Sequence, residues 1–159
     1  MYFPPETDRQ FLVVSAALTG FGEVDLQATG VAEELWNTLV GVVGSAIAGE
    51  FLSACEQAVR QSAAPEELEA ELARLVIVHP KFGPLARNLI TLWYLGQWNA
   101  LPREWCDAYG SSEADVARVV SSQAYLQGLV WPAFGAHPMG GLPPGFGSWA
   151  EPPLRRPSL

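Results

Sequence analysis

Pro84–Gln97, PLARNLITLWYLGQ, is the stretch on which the fold turns. Pro84 suits the first turn of a helix, where its missing N–H costs nothing. Leu85, Leu89, Leu92 and Trp93 then recur at helical spacing. After Arg87 the run is apolar on nearly every side. A helix that is hydrophobic all round is covered all round, so this one belongs at the centre of a bundle.

Helices are expected on either side of it. Upstream, Thr7 and Gln10 have the spacing of a capping box, and Phe11, Val14 and Leu18 line one face as far as Gly20. Asp25 is placed to cap a second helix with the stripe Val31, Leu35, Leu39 and Val42, and a break is expected near Gly44. A third helix, 49–61, should bury Leu52, Cys55 and Val59. Pro65 opens a fourth, with Glu66 and Glu67 in the dipole-favoured first turn and Leu68, Leu72, Leu75 and Val76 as its stripe. His79-Pro80 stops it.

Downstream, a loop is expected from Trp98 to Gly110. Ser112 and Asp115 then open a sixth helix through Val116, Val119 and Val120 towards Tyr125. Period-two alternation is nowhere sustained, and no Asn-Gly or Asp-Gly hairpin occurs. The expectation is an all-α fold, a bundle of about five or six helices over 1–128. A long irregular Pro/Gly-rich segment, 129–159, would lie on that body or on a partner.

That segment is unusual. From Val119 to Ala150 there is no Asp, Glu, Lys or Arg, yet the part after Gly128 carries Trp131, Phe134, Met139, Phe146 and Trp149. Chains that stay disordered are polar and poor in aromatics. An irregular segment this apolar needs a surface. Pro143-Pro144 gives it polyproline character and lowers the entropy cost of docking. The charged share of the whole chain is 16%, against a usual share of about 25%, which is a second sign of a covered face.

The 159 residues fit one domain large enough for a real core. A net charge of −8 without a Lys/Arg cluster argues against nucleic acid and against an anionic membrane surface. Cys55 and Cys106 are read as reduced thiols, the plainer reading over a single bridge. The N-terminus, MYFPPETDRQF, lacks the basic region and cleavage site of a secretory signal, and Leu35–Gly49 is too short to span a bilayer. A soluble, cytoplasmic chain is the expectation.

No set of residues suggests catalysis. His79 and His137 have no ligand at i,i+4 and there is no CxxC, so no metal site is expected. GGLPPGFG lacks the Lys-Ser/Thr and the strand-to-helix setting of a phosphate loop. Glu66, Glu67, Glu69 and Glu71 read as a solvated face. The cluster Trp93, Tyr94, Trp98 and Trp105 reads first as core. Its alternative is an apolar patch that includes Trp93 and Tyr94 together with Trp131, Phe134, Pro143, Pro144, Phe146 and Trp149, as a partner interface.

Three strings, in order, resemble the small subunits of bacterial FAD-dependent sugar and sugar-alcohol dehydrogenases, the sorbitol dehydrogenase small subunit and its glucose, fructose and gluconate dehydrogenase relatives. FLVVSAALTG (11–20) is similar to that family's F-x-x-L-S-x-x-L-T-G opening. LWYLGQW (92–98) is similar to its A-W-Y-L-G helix, and LPPGFGSWAEPP (142–153) to its closing P-G-Y/F-W-A-x-x-P. Here Gly147 and Ser148 separate Phe146 from Trp149, and the twin-arginine export signal typical of the family is absent.

The resemblance implies a non-catalytic subunit with no cofactor of its own. A large flavoprotein of the glucose-methanol-choline type would carry the FAD and oxidise the sugar. A cytochrome c subunit often passes the electrons on. The small subunit binds the large one, helps it mature and is exported with it, which implies a periplasmic or membrane-associated complex. The alternative is a self-contained helical binding or scaffolding protein, or a homo-oligomer, without a dehydrogenase partner.

Overall fold

A computed structural model describes residues 5–134. The fold is all-α. Its helices are α1 (Pro5–Thr19), α2 (Glu23–Ala28), α3 (Ala32–Gln61), α4 (Pro65–Leu72), α5 (Gly83–Leu95), α6 (Arg103–Tyr109), α7 (Ser122–Leu126) and α8 (Val130–Ala133). A π-helical turn, Ala73–Ile77, extends α4. Two short strands, β1 (Gln97–Trp98) and β2 (Arg118–Val119), pair antiparallel with Gln97 opposite Val119.

α5 is the central helix, as its sequence requires. It packs on α1, α3, the π-helical turn, β1 and α7. Leu85, Leu89, Leu92 and Trp93 are fully buried or nearly so. Burying one such side chain contributes about 1.5–3 kcal/mol, which outweighs the cost of the single buried amide among them. Asn88 meets that cost with two hydrogen bonds. Its Nδ2 donates to the Asn99 carbonyl at 2.9 Å, and its Oδ1 accepts the Asn99 N–H at 2.9 Å. The central helix thereby holds the chain that leaves it.

α1 already includes Pro5, so Thr7 lies inside it and the expected capping box does not form. Phe11, Leu12, Val14 and Ser15 are its buried face, with Leu18 half-buried. The expected second helix divides. Gly22, not Asp25, precedes α2, and a new helix starts after Val31. The break at Gly44 is present, with φ 80° and ψ 158°. A side chain would be strained in that conformation.

Breaking α3 there releases carbonyls that would otherwise accept from N–H groups four residues on. Ser112 takes two of them: its Oγ donates to Gly41 O at 2.7 Å and its N–H to Val42 O at 3.0 Å. Beyond the kink, Leu52 and Cys55 are buried as expected, whereas Val59 is half-exposed and Ala58 takes the inward position. In α4 and the π-helical turn, Leu72 and Val76 are buried, while Leu68 and Leu75 pack half-buried on the core.

Three expectations downstream of α5 fail. The loop 98–110 contains α6. The sixth helix from Ser112 does not form; its place is taken by turns, β2 and the short α7. The irregular segment expected from Gly128 starts with a further helical turn, α8. Local tertiary hydrogen bonds win over weak helical propensity in this Val- and Ser-rich stretch.

α3 is 30 residues long, and by length and composition its most apolar window could cross a membrane. It is therefore longer than the uncharged run read from the sequence. However, 44% of that window is buried, which a bundle core explains equally well.

Candidate functional site

The C-terminal end of α5 organises one face of the molecule. Its last carbonyls lack helical partners, and two later segments of the chain donate to carbonyls at this end. Gly96 closes the helix in the left-handed conformation, φ 63°, with its N–H on Leu92 O at 2.9 Å. Leu129 N–H donates to Trp93 O at 2.9 Å, and Val120 N–H to Gly96 O at 2.8 Å. A Cβ on Gly96 would lie 2.5 Å from the Ala124 carbonyl carbon, so α7 rests directly on this glycine. The family-like string LWYLG is thus a structural hub.

Trp93 is 1% exposed and stacks on Phe11 with ring centroids 6.0 Å apart. Its expected place on a partner surface is corrected: it is core, as are Trp98 and Trp105. Tyr94 is half-buried. Its hydroxyl donates to Thr19 O at 2.9 Å and its ring meets Phe21 edge-on at 6.0 Å, which ties α5 to the end of α1. Trp131 is half-exposed; its Nε1–H donates to Tyr125 O at 3.2 Å and its ring meets Tyr125 edge-on at 6.0 Å. Phe134 is 82% exposed. Pro143, Pro144, Phe146 and Trp149 lie outside the described residues.

Around the hub runs a groove of about 410 Å³, lined among others by Phe21, Asp25, Ala28, Leu126, Trp131 and Pro132. The sequence reading missed Phe21 and Leu126. Phe21, set between two glycines just after the α1 stop, was the available signal.

A second, more open depression of about 560 Å³ is lined by Glu33, Glu34, Asn37, Thr38, Arg118 and Val120. Several of its polar groups hold the chain together. Glu34 Oε2 accepts from Ser121 Oγ at 2.8 Å, the Thr38 hydroxyl donates to Glu34 O at 2.9 Å, and Arg118 donates to the carbonyls of Ala114 and Val116.

Several titratable side chains among the described residues are engaged structurally. Cys55 is buried, and burial pushes its thiol up to about 12, so it stays protonated. Cys106 lies 3.4 Å from Asp115 Oδ2 as a thiol donor. His79 accepts the Lys81 N–H through Nδ1 at 3.2 Å and stacks on Phe82 with centroids 4.5 Å apart. His137 lies outside the described residues. Glu71 pairs with Arg74 and raises its guanidinium further above the ordinary value. No group of three metal-ligating side chains occurs among the described residues.

Neither a family model, nor a curated protein, nor a solved structure matches the chain.

Proposed function

We propose that this chain is a non-catalytic small subunit that binds, stabilises and helps mature the FAD-containing catalytic subunit of a sugar or polyol dehydrogenase complex. The observation that carries the reading is the apolar face beside the α5 hub. Phe134, 82% exposed, follows directly on the Trp131–Pro132 side of the groove. Val24 on α2 is 79% exposed. Exposed large apolar side chains beside an apolar groove are what an interaction site requires, and aromatic rings dominate such contacts.

The sequence resemblance supplies the partner class: a large flavoprotein of the glucose-methanol-choline type, with FAD on that subunit and a cytochrome c subunit as electron acceptor. Tyr94 supports the face from behind through Thr19 and Phe21. Trp131 and Phe134 would touch the partner, together with Pro143, Pro144, Phe146 and Trp149. Export as a complex would place the pair in the periplasm or at the membrane.

Co-expression with a large flavoprotein of the glucose-methanol-choline type tests the reading. The expected result is co-purification, and a flavoprotein that loads FAD and turns over only when this chain is present. A flavoprotein that folds, binds FAD and turns over equally well alone would overturn it.

A further inference from the structure

The groove lies where the chain leaves its last described helix, since Trp131 and Pro132 line it and Phe134 is the next described turn. We infer that in the free chain its occupant is the proline-rich stretch Leu142–Trp149 of the same chain, which a partner would have to displace to reach the groove. The inference does not rest on the accessory-subunit reading.

Reach permits it. From Phe134 to Leu142 is eight residue steps, which extended chain can stretch over about 25 Å. Size permits it as well. About 410 Å³ is within the range of pockets that enclose a small ligand or a few side chains. The chemistry matches a known mode of recognition, in which proline-rich segments dock in grooves lined by aromatic rings because their conformation is already restricted. Here Phe21 and Trp131 supply the rings, and Pro143-Pro144 with Phe146 supply the ligand.

Charge favours the same occupant. Residues 135–159 hold Glu151, Arg155 and Arg156, a net +1, in a chain of net −8, so the rest of the chain carries −9. α2 presents Glu23 and Asp25, and Asp25 lines the groove. Arg155 and Arg156, which follow the Phe146–Trp149 stretch, can pair with that acidic helix. Tethering decides between this segment and a second copy of it. A covalent link of only seven residues, 135–141, sets an effective concentration far above that of dilute free protein.

Hydrogen exchange on the full chain, alone and dilute enough to be monomeric by light scattering, tests the inference. Amides from Gly145 to Ala150 should exchange at least tenfold slower than in a free peptide of residues 139–153. Ala28→Trp, at an exposed position that lines the groove, should abolish that protection while leaving the circular dichroism melt in place. As an independent arm, Phe146→Ala with Trp149→Ala should speed exchange at Leu126 and Gln127. Unprotected tail amides in the monomer overturn the inference. So does protection that survives both sets of substitutions, or protection seen only at concentrations where the chain dimerises. The measurement needs no flavoprotein, so its failure is separate from failure of the proposed function.

Discussion

The indole N–H of Trp98 donates to Asp115 Oδ1 at 2.9 Å, which engages the carboxylate that would otherwise be free to open a sixth helix. The same carboxylate accepts the Leu101 N–H at 3.1 Å and 3.2 Å and faces Cys106 Sγ at 3.4 Å. Trp98 is fully buried, and Asp115 supplies the partner that its N–H would otherwise lack. A carboxylate that accepts from several donors at once is worth more here than as a helix cap, whose removal costs about 1 kcal/mol.

Asp115→Ala should therefore destabilise the chain by roughly 2–3 kcal/mol, the cost of leaving a buried donor unmet together with a lost charged acceptor. Urea unfolding should show a lower midpoint with an unchanged slope. A loss below about 0.5 kcal/mol would mean that water replaces the carboxylate.

Gly96 and Gly44 both have positive φ, but only Gly96 faces a neighbour within contact distance. Gly44→Ala should cost only the left-handed penalty, about 1–2 kcal/mol. Gly96→Ala adds a clash with the Ala124 carbonyl and should cost distinctly more. Thermal melts of the two variants side by side check the order; equal losses would show that α7 shifts freely.

Cys55 gives a pH signature. The folded thiol is pushed up to about 12 from an ordinary value of 9.0. Between those values the unfolded chain has released a proton that the folded chain keeps. Stability from this group is thus complete below pH 9 and falls as pH rises towards 12, by at most ~1.4 kcal/mol per pH unit. Unfolding curves at pH 8 and pH 10 should diverge more for the native chain than for Cys55→Ala. In the folded protein at pH 8, iodoacetamide should label Cys106 and spare Cys55.

Phe134 separates binding from folding. Phe134→Ser should leave the melting temperature within a degree or two, because the ring is 82% exposed. It should weaken the proposed complex with a flavoprotein by about 2 kcal/mol if the ring is an anchor. Phe146→Ala and Trp149→Ala should each cost about 2 kcal/mol or more on the same scale. Titration calorimetry reads these values, and undiminished affinity in all three variants would remove the aromatic face from the interface.

Much of the bundle was legible because its signals are local. The apolar row of α5, the stop at Gly20, the break at Gly44 and the Pro65 start each depend on a residue's own backbone or on neighbours one turn away. The stretch from Trp98 to Gly128 was not legible in this way. Ser112 and Asp115 look like helix starters in sequence, but neither caps one; the cap is Ser121, which accepts the Ala124 N–H at 3.0 Å. Ser112 instead serves the broken end of α3, and Asp115 serves Trp98. For the candidate interface, Trp131 and Phe134 were visible as aromatics in an uncharged stretch. The groove was not, because Phe21 and Leu126 meet only after α1 and α7 have both docked on α5.

By itself, the sequence determined an all-α body around one central helix, since period, glycine and proline act through covalent geometry and the nearest turn. Tertiary structure alone decided that Trp93 is core while Phe134 faces outward. Both are large aromatics in apolar runs, and what separates them is distance from the packed end of α5, a quantity that exists only once the helices have met.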